Sequence, residues 1–277
     1  MKNKIISLIK NRKKTSHKGE NGKLLIVGGS PNYVGAPVLS ALAAIRCGID
    51  LAVIATETQT GFAINSYSPN LIVWKFKKYN KEAINQILNW ASSFDVVLIG
   101  NGLGKENIDF AVKLIETIKE KYKNKKLVID AEAIKALKKA HLKSTKNIIA
   151  TPHKKEFEYL IDKYIKDIDK KNYKKKLIDF CKEFKGVVVL KGKEDLICKS
   201  KEIKINKTGN CAMSVGGTGD VLAGIISALF CISNDDFNSA KTGAYICGKI
   251  GDLAFSDKSF GLIATDIIEK IPEAMFG

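Results

Sequence analysis

The stretch Thr208-Gly-Asn-Cys-Ala-Met-Ser-Val-Gly-Gly-Thr-Gly-Asp-Val-Leu-Ala-Gly224 decides how the rest of the chain is read. Val221, Leu222, Ile225, Ile226 and Leu229 recur at helical spacing and form one apolar face, which predicts a helix starting near Thr218 or Gly219. Gly216, Gly217 and Gly219 let the backbone turn tightly into that helix and approach a ligand, with N–H groups aimed outward. Free N–H groups and the positive end of the helix dipole together make a site for an anion. Asp220 stands in the first turn, beside that site. A carboxylate there is favoured by the dipole alone, but next to a transferring phosphoryl group it is also a candidate proton acceptor. Gly224 lets the helix pack closely on whatever lies below it. No G-x-x-x-x-G-K-[ST] loop occurs, and Gly28-Gly29-Ser30 does not complete a G-x-G-x-x-G dinucleotide fingerprint.

Upstream, short apolar runs alternate with longer amphipathic ones. Leu24–Val27, Leu51–Ala55, Val96–Ile99, Leu127–Ile129, Ile148–Ala150 and Val187–Leu190 are continuous and rich in β-branched residues, as strands buried on both faces are. Helical patterns lie between them: Pro37 to a stop at Gly48, Lys81–Trp90, Asp109–Tyr122, Glu156–Tyr164 and Lys174–Phe184. This alternation predicts an α/β fold, a largely parallel sheet with helices on both faces. Residues 195–205 read as two short alternating runs around a polar turn, a hairpin, and the chain beyond Val221 reads as helix.

Ligands of such folds bind at the carboxyl edge of the sheet. The unusual residues fall there: Gly28-Gly29-Ser30, Gly100-Asn101-Gly102-Leu103-Gly104, Asp130-Ala131-Glu132, Thr151-Pro152-His153 and Lys191-Gly192-Lys193 each follow a strand run. Lys191, placed after four buried apolar residues, would reach the edge where phosphates are expected. At Thr151–Glu156, Thr151 is expected to cap a helix opening with Pro152, with Glu156 as the acidic partner near the helix start.

Five prolines and no Ser/Gly/Pro-rich linker in 277 residues favour one domain over two. Six scattered cysteines, none in a C-x-x-C pair, read as reduced small hydrophobes of a cytoplasmic protein. Three distant histidines give no metal-ligand spacing, and the N-terminal apolar stretch is too short for a signal or a membrane span. Ile5, Leu8 and Ile9 suggest one amphipathic turn. The net charge of +17 comes almost wholly from Lys spread over predicted helix faces, without the clustering and aromatic interleaving of nucleic-acid readers. Nucleic acid and membrane are therefore not expected partners, whereas a basic field would draw in a polyanionic small molecule.

Gly216–Gly224 resembles the ribokinase-like superfamily, a three-layer αβα sandwich whose G-x-G-D motif forms a phosphate anion hole and places a catalytic aspartate. Several further motifs narrow the likeness: Ser16-His17-Lys18-Gly19, Tyr33-Val-Gly-Ala-Pro, Gly100-Asn-Gly-Leu-Gly, Asp130-Ala-Glu-Ala, Thr151-Pro-His-Lys-Lys-Glu-Phe, Val189-Leu-Lys-Gly and Gly209–Gly224. Together they resemble the ADP/ATP-dependent NAD(P)H-hydrate dehydratases, in order and over nearly the whole chain. Asn101 stands where proline is usual, Glu132 where aspartate is usual, and Lys154-Lys155 where a Pro-Gly pair is common.

The resemblance implies nucleotide-dependent dehydration of the (S)-hydrates of NADH and NADPH, with ADP the expected donor, giving AMP and phosphate. It implies Asp220 as catalytic residue; Ala36, Gly102, His153 and Asp220 at the hydrated cofactor; Lys191, Gly192, Lys193, Glu194, Asp195 and Gly219 at the adenine nucleotide; and Gly216, Gly217, Thr218 and Gly219 as the anion hole. Magnesium is expected to arrive on the nucleotide, with no metal site in the protein. A homo-oligomer, a tetramer in one form, is expected; an epimerase domain is not, only about twenty basic residues preceding the dehydratase-like part. The rival readings are a ribokinase-like kinase of a thiazole or pyrimidine alcohol and a basic nucleic-acid-binding protein.

Overall fold

The computed structural model describes Ile9, residues 12–162 and residues 170–277. Ile9 apart, the amphipathic turn read at Ile5–Ile9 lies outside the described residues; the helix read to Tyr164 instead closes at Leu160, with Ile161 as its cap.

All described strands join one sheet. They are β1 (Lys23–Val27), β2 (Leu51–Glu57), β3 (Ile72–Phe76), β4 (Val96–Ile99), β5 (Lys126–Ile129), β6 (Ile148–Ala150), β7 (Val187–Leu190), β8 (Asp195–Lys199) and β9 (Glu202–Asn206), in spatial order 3-2-1-4-5-6-7-8-9. Strands β1 to β7 are parallel; the expected hairpin adds β8 and β9 antiparallel at one edge. The described helices are α1 (Gly35–Arg46), α2 (Thr58–Tyr67), α3 (Lys81–Ala91), α4 (Ile108–Lys121), α5 (Glu132–Lys139), α6 (Lys154–Leu160), α7 (Lys170–Phe184), α8 (Thr218–Ile232), α9 (Asp236–Lys258) and α10 (Ala264–Phe276).

Side chains alternate across a strand, so each strand feeds two cores. Leu24 and Ile26 pack with Val38 of α1, Val221 of α8, Ile250 of α9 and Ile267 of α10 on one face. Leu25 and Val27 pack with Ile87 of α3, Leu114 of α4, Ile134 of α5, Phe157 of α6 and Leu177 of α7 on the other. The three layers follow from continuous apolar runs that have no solvent-facing side. Two elements escaped the sequence reading. The edge strand β3 exposes Ile72 and carries Lys75, so it lacks the continuous buried run of its neighbours, and α2 buries only Thr60, Gly61 and Ile64.

Helix α1 and helix α8 touch where Gly224 meets Ser40. A Cβ on Gly224 would stand 2.3 Å from the Ser40 carbonyl oxygen. Alanine in a helix gains about 1 kcal/mol over glycine, but forcing two backbones apart in a packed core costs about 1–3 kcal/mol. Gly224→Ala is therefore expected to destabilise by about 1 kcal/mol net, read as a lower denaturation midpoint at unchanged slope.

The lysine surplus is not only a solvated helix face, as the sequence suggested. Lys119 is buried and donates to the carbonyls of Lys123, Lys125 and Lys146. Lys125 donates to Ala91 and Phe94 past the end of α3, and Lys126 to Phe230 and Ser233 at the end of α8. These ammonium groups satisfy carbonyls that helix ends leave without partners. No described helix is long and apolar enough to cross a membrane.

The chain leaves β1 towards β2 and β3 on one side, then returns to β4 on the other. The crevice at this reversal lies between the carboxyl ends of β1 and β4, the usual ligand position in open α/β sheets. Gly28-Gly29 and Gly100-Asn101-Gly102 meet there: Gly29 N–H donates to the Asn101 carbonyl at 2.9 Å, and a Cβ on Gly28 would strike that oxygen.

Candidate active site

Helix α8 begins at Thr218, as its apolar face required, with Gly217 as N-cap in the left-handed region at φ 94°. Its first helical bond runs from Val221 N–H to the Gly217 carbonyl, so the N–H groups of Thr218, Gly219 and Asp220 precede the ladder. The Thr218 hydroxyl donates to the carbonyls of Met213 and Val215, and Asn210 ties the start of the loop to Gly251 and Asp252 of α9. Side chains thus hold the loop while its backbone stays available. Gly216 is exposed, and nothing lies within 4 Å of where its Cβ would stand.

Four strand ends converge on Asp220. Asn101, after β4, donates from Nδ2 to Asp220 Oδ1 at 2.6 Å and to Asp130 Oδ2 at 3.1 Å. Asp130, after β5, accepts from the Thr151 hydroxyl, after β6, and from Lys191 Nζ, after β7, each at 2.8 Å. Lys191 Nζ would lie 3.4 Å from a Cβ on Gly219, so the absence of a side chain there lets the ammonium sit against the helix start. Burial pushes the Asp220 carboxyl up to about 7, helped by Asp130 and opposed by Asn101 and Lys191. Burial alone would lower Lys191, yet Asp130, Glu156 and Asp220 around it hold its pKa above the usual lysine value. A cation and a carboxyl poised near neutrality therefore flank an N–H-rich loop.

His153, not Thr151, is the helix cap, and α6 opens at Lys154 rather than Pro152. The Thr151 hydroxyl is committed to Asp130 and cannot reach the helix. His153 Nδ1 accepts from Glu156 N–H at 3.2 Å, and Glu156 Oε2 accepts from His153 N–H at 2.8 Å. Burial and the neighbouring Lys191 depress the His153 pKa, so the ring is neutral with its proton on Nε2. Glu156, read from sequence only as a cap partner, is pushed up to about 7 by burial. Residues His153 and Lys191 form an isolated parallel bridge that carries the β6–β7 pairing out to the edge.

Gly102 and Ala36 come together across the crevice: a Cβ on Gly102 would stand 3.0 Å from Ala36 Cβ and 2.6 Å from the Tyr33 carbonyl. Gly192 and Lys193 are exposed between β7 and β8, with Glu194 half-buried beside them. Asp195 serves the hairpin itself, accepting from Gly192 N–H and Asn206 Nδ2. The Ser16–Gly19 motif lies elsewhere, at the amino edge, where Gly19 N–H donates to Asp50 just before β2. Among the described residues no three His, Cys, Asp or Glu side chains gather as metal ligands, and the cysteines are free, five buried and Cys211 exposed.

Known proteins resemble this chain in sequence and in fold. Residues 24–273 match the NAD(P)H-hydrate dehydratase family. A bifunctional NAD(P)H-hydrate repair enzyme of Methanocaldococcus jannaschii is 39% identical over 272 residues, 98% of this chain and 51% of that protein. The chain thus spans about half the length of the bifunctional relatives it matches. An ADP-dependent (S)-NAD(P)H-hydrate dehydratase of Nitrosopumilus maritimus is 33% identical, covering 98% of this chain and 94% of that one. The ADP/ATP-dependent NAD(P)H-hydrate dehydratase of Bacillus subtilis, crystallised with ATP and Mg2+, is 25% identical with a TM-score of 0.79, covering 98% of this chain and 95% of that one. That structure and a solved ribokinase-like protein each superpose on 98% of the chain, so the expected ribokinase-like sandwich is present. By this match over most of its length, the chain belongs to the NAD(P)H-hydrate dehydratase family.

Proposed function

We propose that the chain returns the (S)-hydrates of NADH and NADPH to NADH and NADPH, with ADP as phosphoryl donor. The observation that carries this reading is the Asp220 carboxyl, poised at about 7 beside the Gly216–Gly219 loop and Lys191. In the proposed reaction the hydroxyl oxygen on the hydrated ring attacks the terminal phosphorus of the donor, and Asp220 takes the hydroxyl proton. The bond between that phosphorus and the nucleoside phosphate breaks, giving AMP. The ring carbon–oxygen bond then breaks as the neighbouring carbon gives up a proton, restoring the double bond and releasing phosphate. Hydroxide leaves poorly and phosphate well, which is why a nucleotide is needed for loss of water.

The N–H groups of Gly216, Gly217, Thr218 and Gly219 hold the transferring group, and Lys191 adds a positive charge on the nucleotide side. Residues Gly192 to Asp195, on the β7–β8 connection, border the nucleotide, and Asp195 also shapes that connection. Ala36, Gly102 and His153 border the hydrated ring, with His153 offering Nε2–H as a donor. A magnesium ion would be carried by the phosphates, whose charge it offsets. The protein acts as one domain and a homo-oligomer in the cytoplasm.

The test is incubation with hydrated NADH, Mg2+ and ADP or ATP, following NADH absorbance and the nucleotide product. Return of NADH with AMP and phosphate is the expected result. A stable phosphorylated product without NADH would mark a kinase, and no NADH with either donor would end the proposal. Because Asp220 must be ionised to accept a proton, kcat/KM is expected to rise with pH through about 7 and level above it. A profile flat from pH 6 to 8 would rule out that role.

A further inference from the structure

We propose that Asn101 is a positioning residue: its single amide nitrogen bridges the Asp220 and Asp130 carboxylates, fixing where Asp220 points and favouring its ionised form. The inference rests on the reading of Asp220 as proton acceptor. It begins from one side chain that donates to two carboxyls brought together from different elements, Asp130 after β5 and Asp220 in α8.

Asn101 is fully buried, and its Nδ2 lies 2.6 Å from Asp220 Oδ1 and 3.1 Å from Asp130 Oδ2. The amide orientation follows from charge: turned over, its oxygen would face two carboxylate oxygens. In the observed orientation Oδ1 is buried without a partner. An unpaired buried acceptor is unfavourable, so a residue kept only for packing would be better replaced by an apolar side chain of the same shape. What the asparagine supplies is its two N–H groups, one to each carboxylate. They hold Oδ1 of Asp220 and leave Oδ2 as the oxygen able to receive a proton. The Asp220 carbonyl is meanwhile fixed by the Ser40 hydroxyl of α1 at 2.9 Å. The charged groups facing Asp220 are Asp130 after β5, Glu132 at the start of α5 and Lys191 after β7. Two of these three oppose its ionisation, and Asn101 joins Lys191 on the other side of that balance. Through Asp130 the amide also links Asp220 to Lys191 and Thr151, so one bridge couples the proton acceptor to the cation.

The test compares wild type, Asn101→Leu and Asn101→Asp. Leucine keeps the shape and removes the donors; aspartate adds a third carboxyl. The carboxyl resonance of Asp220, in protein labelled with 13C-aspartate and assigned by its loss in Asp220→Asn, is followed against pH. The expected midpoint rises by about one pH unit in Asn101→Leu, a tenfold smaller ionised fraction below it, and further in Asn101→Asp. The acid limb of kcat/KM moves with it, and the melting temperature of Asn101→Leu falls, because two buried carboxyls each lose a donor. If leucine prevents folding, the aspartate variant carries the same comparison. An unmoved Asp220 midpoint in a folded variant overturns the inference, and so does a lower melting temperature with unchanged titration. Turnover that survives Asp220→Asn instead overturns the reading of Asp220, whatever Asn101 does to the titration.

Discussion

Asp220→Asn is expected to lower turnover about 10³-fold, within the range for loss of a general base, while nucleotide affinity stays within a few-fold of wild type. The asparagine keeps the shape and an acceptor for Asn101 Nδ2, so the bridge seen at 2.6 Å survives. It cannot take the hydroxyl proton. The same change is expected to stabilise the fold above neutrality. The folded-state pKa of Asp220, about 7, lies above the unfolded value of about 3.9. Between those values the folded chain binds the extra proton, so wild-type stability falls as pH rises through about 7. The variant carries no charge there and escapes that fall by roughly 1–3 kcal/mol at pH 8. Thermal unfolding at pH 4 and pH 8 checks this: the variant should gain over wild type mainly at pH 8, most of the difference having accrued by about pH 7. Higher stability with lost turnover is the pattern of a strained catalytic group. Equal losses of both would mean that the carboxylate serves packing.

The strands legible from sequence are those buried on both faces, because hydrophobic continuity is a local signal. Strand β3 was missed because its outer position permits Lys75 and an exposed Ile72. The site was legible as a set of strand ends and a glycine loop, but its wiring was not. Thr151 has the chemistry of a cap and His153 does not rank among the usual caps. Only the position of Asp130 on the neighbouring strand draws the threonine hydroxyl away and leaves the helix start to the imidazole. The shift of Glu156 is likewise invisible in a capping box, since it comes from burial, helped by Asp130 and opposed by Lys191, which arrive from other strands. Asn101 stood out in the sequence as part of the Gly100–Gly104 strand end, with nothing to name its partners. Its two carboxylate partners lie 29 and 119 residues away.

Lys191→Met should separate the two tasks of that ammonium group. Its Nζ is 2.8 Å from Asp130 Oδ1, and the Asp130 side chain is only 3% exposed. Removing the cation leaves a buried carboxylate with the hydroxyl of Thr151 and the amide of Asn101 as its remaining donors. Loss of one partner of a buried pair costs about 3–5 kcal/mol, and the two remaining donors place this case near 3. At about 2 °C per kcal/mol for a chain of this size, the melting temperature should fall by about 6 °C at pH 8. The deficit should shrink as pH falls. Without Lys191, Asp130, Asp220 and Glu156 face one another uncompensated, and Asp220 and Glu156 already stand at about 7. Raised folded-state values mean that stability is recovered as Asp220 and Glu156 take protons, as pH falls through about 7. Nucleotide binding responds differently. A lost charge-assisted hydrogen bond to phosphate, worth about 1.5–3 kcal/mol, predicts a 10- to 100-fold weaker Kd for ADP at every pH where the variant is folded. Isothermal titration with ADP at pH 6.5, where stability is largely restored, isolates that effect. A variant that melts early yet binds ADP as wild type does would make Lys191 a structural counter-ion to Asp130, and would move the nucleotide away from the Gly216–Gly219 loop.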